Sequence, residues 1–240
     1  MGRFWEIDFF RGLSVVGMVA FNWMFALDYL GTAEFPVNEG LLWWLGRLVA
    51  IAFVSIAGVS LSISYSRNAN KTGKFIRNKY LSRGLGIFAL GITITITTWL
   101  YEPKATIWFG VLHLIGIATL LAIPILKRKI SSRMILALSA SLITIGLWLQ
   151  QFTFEFAYLL WLGFWPAGWY TFDYFPILPW FGVFLLGMTV GKSVFAGRKP
   201  VGLLGPVRDA IKPIFFLGRH TLIIYLLHQP FLLLMLKIMG

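Results

Sequence analysis

The basic residues of this chain are distributed asymmetrically among the connectors that separate its long apolar runs. Eighteen of the 21 Lys and Arg residues lie before the first run, after the second, after the fourth or around the connector before the last. They are Arg3, Arg11, Arg67, Lys71, Lys74, Arg77, Lys79, Arg83, Lys127, Arg128, Lys129, Arg133, Lys192, Arg198, Lys199, Arg208, Lys212 and Arg219. The alternate connectors carry the acidic residues Asp28, Glu34, Glu39, Glu102, Glu155 and Asp173. This alternation predicts a polytopic protein of the cell membrane with a cytoplasmic N-terminus.

Composition supports a membrane protein rather than a soluble one. Hydrophobic residues make up 58% of the chain and charged residues only 12%, about half the charged fraction of a soluble domain. The net charge of +12 is therefore explained by membrane orientation, and no nucleic-acid partner is predicted. The first apolar run is full-length and begins among charged residues, so we expect a retained span rather than a cleaved signal peptide.

A helix needs roughly 20 apolar residues to cross the hydrocarbon core of a bilayer. Windows of that size predict seven spans, at 10–30, 41–66, 84–101, 107–126, 134–150, 174–195 and 214–237. A shorter apolar stretch, 156–170, is interrupted by Gly163, Pro166 and Gly168, and we interpret it as a re-entrant or interfacial segment. The prediction is an all-α membrane helix bundle that forms a single domain over residues 1–240.

Polar residues inside spans are costly and are therefore hypotheses for functional sites. Asp8 and Arg11 are three residues apart, so they can form an ion pair on one helical turn. That pair either anchors the first span or leaves Arg11 partly available to an anionic ligand. Asn22 lies on the order of 16 Å further along the same helix, where it either bonds a neighbouring helix or contacts a substrate.

Three further polar positions each have a structural and a functional interpretation. Arg47 either extends to the outer interface or pairs with Asp28 or Asp173. His113 is either a satisfied core residue or a base, because its unperturbed pKa suits proton transfer near neutrality. His228 precedes a Gln-Pro pair, and this kinked polar stretch indicates either a cavity wall or a structural contact.

Metal binding and nucleotide hydrolysis have no support in the motifs. The chain has three His and no Cys, and no H-x-x-x-H pair, so the usual metal-ligand spacings are missing. No phosphate-binding G-x-x-x-x-G-K-[ST] loop occurs either. We expect no metal cofactor.

Five segments carry a family resemblance. They are the opening R-F-W-E-I-D-F-F-R-G followed by Asn22, the Gly46-Arg47 pair leading into S-I-A-G-V-S-L, F-G-V-L-H-L-I-G at 109–116, D-Y-F-P-I-L-P-W-F-G-V-F-L-L-G at 173–187 and G-R-H-T-L-I-I-Y-L-L-H-Q-P at 218–230. Across nearly its whole length the chain resembles prokaryotic members of the heparan-alpha-glucosaminide N-acetyltransferase-like transmembrane acyltransferases. The resemblance implies transfer of an acyl group, expected to be acetyl, from cytoplasmic acyl-CoA to a hydroxyl or amino acceptor on the outer side, expected to be a sugar.

The resemblance also implies roles for individual residues. Asn22, His113 and His228 match polar positions of the family, and we expect one histidine to act as the base while Asn22 and Arg47 stabilise the oxyanion. The lysosomal members have a histidine in the loop after the first span, and this chain has none between Asn22 and Arg47. Independently of the resemblance, the basic residues on the predicted inner face suit the CoA phosphates, which are expected at Arg11, Arg83 and Arg219. The acceptor is expected at Asp28, Arg47, Asp173 and Gln229.

Two other classes of function remain open at this point. The buried charges could line the pathway of a transporter or channel for a small anion or a sugar-linked solute, or the chain could have a structural role. Small size and the lack of inverted repeats argue against a transporter. The expected partners are membrane lipid, a CoA thioester and a small-molecule or glycan acceptor, and a homo-oligomer is left open.

Overall fold

The computed structural model describes residues 4–37, 39–128, 130–195, 197–199 and 210–239, without the side chains of 229, 233–234 and 236–239. Within these ranges the regular structure is helical, as predicted. The helices are α1 (Trp5–Tyr29), α2 (Gly40–Arg67), α3 (Gly73–Tyr101), α4 (Val111–Lys127), α5 (Ser132–Leu149), α6 (Ile177–Val194), α7 (Lys212–Arg219) and α8 (Thr221–Met239). Short 3₁₀ turns lie at Pro103–Ala105 and Leu160–Leu162.

The chain divides into two compact units. The terminal unit comprises Met1–Ile56 with Arg198–Gly240, and the central unit comprises Ala57–Gly197, so the boundary falls within α2. The assignment of residues 1–240 to one domain stays a prediction.

In the terminal unit, α1 packs against α7 and α8. Two glycines allow the backbones of α1 and α7 to touch. A Cβ at Gly218 would collide with the carbonyl oxygen of Asp8, and a Cβ at Gly12 with that of Ile214. Glycine is therefore required at this crossing, which brings the end of α7 beside the first turn of α1.

In the central unit, α3 packs against α4 and α5 against α6, with a smaller contact between α4 and α6. The α3–α4 contact is again close at glycines: a Cβ at Gly91 would lie 3.0 Å from the backbone nitrogen of His113. Across α5 and α6, the Ser139 hydroxyl donates a hydrogen bond to the Gly182 carbonyl. The close approach at Gly91 places the start of α4 directly against α3.

Each predicted span overlaps a helix, but not every boundary is as predicted. Among the described residues, five helices are long and apolar enough to cross a membrane, namely α1, α2, α3, α5 and α6, whereas α4 is a shorter apolar helix. Several apolar helices of this kind indicate an integral membrane protein. The count of seven spans, the cell membrane and the cytoplasmic N-terminus stay predictions.

Two boundaries correct the sequence interpretation. Helix α3 begins at Gly73, so the basic residues expected in a connector before 84 form its first turns, since Lys and Arg favour helices. The Thr72 hydroxyl caps this start by accepting the Phe75 N–H at 3.3 Å. The predicted run 214–237 is divided at His220, where the Thr221 hydroxyl bonds the Leu217 and Gly218 carbonyls at the end of α7.

The interrupted segment 156–170 is mostly irregular. Its backbone is organised by hydrogen bonds from Phe154 N to the Trp165 carbonyl and from Ala167 N to the Phe154 carbonyl, each 2.9 Å long. Gly163 adopts φ 131° after the 3₁₀ turn, a conformation that favours glycine. The irregular backbone agrees with the sequence prediction, while the re-entrant or interfacial location stays a prediction.

Candidate functional site

His113 lies in the first turn of α4 and is only 1% exposed. Its Nδ1 accepts the Gly110 N–H at 3.2 Å, so Nδ1 is the unprotonated nitrogen. Its Nε2 lies 3.3 Å from the Thr95 hydroxyl, which donates its own proton to the Ile107 carbonyl at 2.6 Å. The neutral ring therefore carries its proton on Nε2 and uses both nitrogens for structure.

Asp173 lies against the same end of α4. Its Oδ2 accepts the Val111 N–H at 3.3 Å, and a Cβ at Gly110 would lie 2.7 Å from that oxygen. Carboxylates are favoured at helix N-termini, where backbone N–H groups lack partners. The structure thus brings His113 and Asp173 together as two groups that satisfy the start of one helix.

The segments before α4 and before α6 are bonded to each other near this point. The Thr171 hydroxyl donates to the Thr106 carbonyl at 2.8 Å, and Phe172 N donates to the Ala105 carbonyl at 3.1 Å. Sequence reasoning missed Thr95 and Thr171, because a threonine in an apolar run gives no signal of a distant backbone partner.

His228 lies in α8 and is half-buried. Its Nδ1 is 2.7 Å from the Tyr225 carbonyl. A carbonyl only accepts, so the neutral ring carries its proton on Nδ1 and a lone pair on Nε2. Among the residues that the structure describes, no hydrogen-bond partner is found for Nε2. The side chain of the neighbouring Gln229 lies outside the described part of the chain.

Asn22 is half-buried on α1, which packs against α8. Its Nδ2 donates to the Met18 carbonyl one turn back at 2.9 Å. An amide nitrogen carries two hydrogens, so a second N–H remains for another acceptor.

Asp8 is 5% exposed and is flanked by two arginines. Its carboxylate lies 3.8 Å from Arg11 and 3.5 Å from Arg219. The predicted pair of Asp8 and Arg11 is confirmed. The addition of Arg219 was not predicted, although Gly218 was a signal that α7 comes close to another helix.

Arg47 and Asp28 have separate partners. The Arg47 guanidinium lies 4.9 Å from the centre of the Trp43 ring, and Asp28 Oδ1 accepts the Phe35 N–H at 2.9 Å. No ion pair between Arg47 and Asp28 is found in the described part of the terminal unit. Their roles in binding an acceptor stay predictions.

Arg83 is half-buried in α3. Within the described ranges, none of the ion pairs includes its guanidinium. The same ranges contain no group of three or more His, Cys, Asp or Glu side chains that could hold a metal ion.

A comparison with models of protein families shows the family of this chain. A sequence model described as heparan-alpha-glucosaminide N-acetyltransferase, catalytic, matches residues 3–230. The chain belongs to this family. No curated protein and no solved structure matches it. This match confirms the family resemblance that the sequence motifs indicated. Membership implies a transmembrane acetyltransferase, and the family in general depends on acetyl-CoA.

Proposed function

We propose that this protein transfers an acetyl group from acyl-CoA, bound from the cytoplasmic side, to a hydroxyl or amino group of an acceptor on the outer side of the membrane. The match of the family over residues 3–230 supports the transferase chemistry. The basic connectors support the side on which CoA binds, because arginine and lysine are the usual ligands of phosphate.

His228 is the base in this proposal. The Tyr225 carbonyl holds the proton on Nδ1, which leaves the Nε2 lone pair to take the proton of the acceptor. The acceptor oxygen or nitrogen then bonds to the thioester carbonyl carbon, and the C–S bond breaks. The leaving thiolate receives the proton from the imidazolium, so the products are acylated acceptor, free CoA and neutral histidine.

Asn22 stabilises the negative charge that develops on the thioester oxygen. One N–H of its amide is used by the Met18 carbonyl, and the second is available to the oxyanion. Arg47 supplies a positive charge in the same unit of the fold. In the terminal unit, Arg11 and Arg219 are the proposed ligands of CoA phosphate, and Asp28 and Gln229 are the proposed contacts of the acceptor, which is expected to be a sugar. In the central unit, the corresponding proposals are Arg83 for CoA phosphate and Asp173 for the acceptor.

His113 has a different role, which is to position the start of α4. Both of its nitrogens already have partners, so proton abstraction by this ring would require breaking a bond that organises the fold. The single observation that carries this assignment is the difference between the partners of the two Nδ1 atoms, which are a backbone N–H for His113 and a backbone carbonyl for His228.

The test is release of free CoA from acetyl-CoA by purified protein in lipid, with and without a panel of amino sugars. We expect release that the acceptor stimulates and that His228→Ala abolishes. Full activity of His228→Ala would overturn its assignment as the base. Solute flux without consumption of acetyl-CoA would instead support a transporter.

A further inference from the structure

The corner between α2 and α3 is strongly basic. Between Arg67 and Arg83 the chain contains six Lys and Arg residues and no acidic residue. A surface with this charge attracts an anionic partner. Two of these six residues, Lys74 and Lys79, line a cavity. The other side chains of that cavity indicate which kind of anion it would bind.

An open cavity of about 500 Å³ lies at this corner, lined by Thr72, Lys74, Phe75, Asn78 and Lys79. It combines two ammonium groups and two neutral polar side chains with an aromatic ring that is 46% exposed. The Lys79 ammonium lies 5.9 Å from the centre of the Phe75 ring. We define these five residues as the corner pocket. Its chemistry suits a phosphate attached to a flat heterocycle.

A third cation follows the pocket along α3. Phe75, Lys79 and Arg83 are spaced four residues apart, so they share one helical face. Lys79 is exposed and Arg83 is half-buried, and no carboxylate in the described part of the chain pairs with Arg83. This helical face therefore carries one positive charge at the protein surface, on Lys79, and a second in a half-buried position, on Arg83.

We propose that the corner pocket binds the nucleotide end of CoA, with Lys74 and Lys79 on its 3′-phosphate and Phe75 against its adenine. Arg83 then meets the diphosphate that follows. The inference rests on the proposed function, and it adds three residues and a preference for CoA over dephospho-CoA. A lipid with a single phosphate could bind the two lysines but would leave Arg83 without an anionic partner. CoA carries a 3′-phosphate and a separate diphosphate, so it can bind both the exposed lysines and the half-buried arginine.

The first test compares acetyl-CoA with acetyl-dephospho-CoA, which lacks only the 3′-phosphate. We expect the wild type to show a KM roughly tenfold or more lower for acetyl-CoA, as expected from charge-assisted hydrogen bonds. Lys74→Ala with Lys79→Ala should raise the KM for acetyl-CoA to the value for the dephospho donor, with little change in the latter. Lys71→Ala with Arg77→Ala is the matched control, because it removes the same charge from exposed positions outside the pocket.

The second test measures binding without turnover, by calorimetry with adenosine 3′,5′-bisphosphate. Binding that the pocket variant loses and the control variant keeps supports the inference, even if the wild type releases no CoA and the proposed function fails. Equal losses in both variants, or equal use of both donors by the wild type, would overturn it. The inference would also be overturned if the pocket variant no longer bound anionic lipid vesicles but still bound the nucleotide. That result would identify the corner pocket as a lipid site.

Discussion

His113 and His228 both lie in helices, but their ring nitrogens are used in opposite ways. His113 accepts a backbone N–H at Nδ1 and contacts Thr95 at Nε2, whereas His228 donates from Nδ1 to a carbonyl. The first ring is fully engaged with the protein. The second keeps a lone pair on Nε2, with no partner in the described residues. The proposed distinction between a structural histidine and a base therefore rests on the partners of the two ring nitrogens, because both histidines lie in motifs of the same family.

The largest effect is expected for His228→Ala. Loss of a positioned base should lower kcat by roughly 10² to 10⁴, while the protein stays folded because the ring bonds backbone carbonyls of its own helix. The measurement is the rate of acceptor-stimulated CoA release in lipid. His220→Ala is a matched control, since the Nδ1 of that ring also lies close to a backbone carbonyl, that of Phe216 at 2.8 Å. A control variant as slow as His228→Ala would remove the distinction between these two rings.

His113→Ala should act mainly on stability. It leaves the buried Gly110 N–H without its acceptor, which costs about 1–3 kcal/mol in the free energy of unfolding. His113→Asn keeps an acceptor oxygen near the same N–H and should recover part of this loss. The measurements are denaturant unfolding in detergent and turnover per folded molecule. Loss of turnover equal to that of His228→Ala, at unchanged stability, would make His113 the base.

The difference between local and distant contacts explains how much of this site could be predicted. Asp8 and Arg11 are three residues apart, so helical geometry alone predicted their pair, which the structure confirms. Arg219 is far away in sequence and reaches Asp8 only because Gly12 and Gly218 let two helices touch. The sequence contains the glycines but does not say which helices they bring together.

The helices themselves were predicted better than their ends. Hydropathy located every predicted span on a helix, but it missed the basic first turns of α3, which are helical without being apolar. It also joined α7 to α8, because a single break at His220 does not change the average over a window. Likewise His113 and Thr95 are each visible in the sequence, but their bond depends on how α3 packs against α4.

Thr95→Val tests whether the contact between the Thr95 hydroxyl and His113 Nε2 contributes to stability rather than to turnover. The change keeps the shape of the side chain but removes the hydroxyl that bonds both His113 and the Ile107 carbonyl. We expect a loss of about 1 kcal/mol in the free energy of unfolding and little change in kcat. Thr97→Val is the control, since that hydroxyl bonds only the Thr93 carbonyl on the exposed side of α3. Equal losses in the two variants would mean that the contact with His113 adds no stability.

The smallest effect is expected for Asp173→Asn, which separates charge from hydrogen bonding at the start of α4. The amide oxygen can still accept the Val111 N–H, while the attraction between the carboxylate and the helix N-terminus is lost, worth about 0.3–1 kcal/mol. Glu155→Gln is the control, because it neutralises an exposed carboxylate in the same connector between α5 and α6. Thermal unfolding at low and high salt measures the effect, which should shrink as salt screens the charge. The proposed contact between Asp173 and the acceptor predicts in addition a rise in the KM for the acceptor that does not follow the change in stability, and an unchanged KM would leave Asp173 with the start of α4 alone.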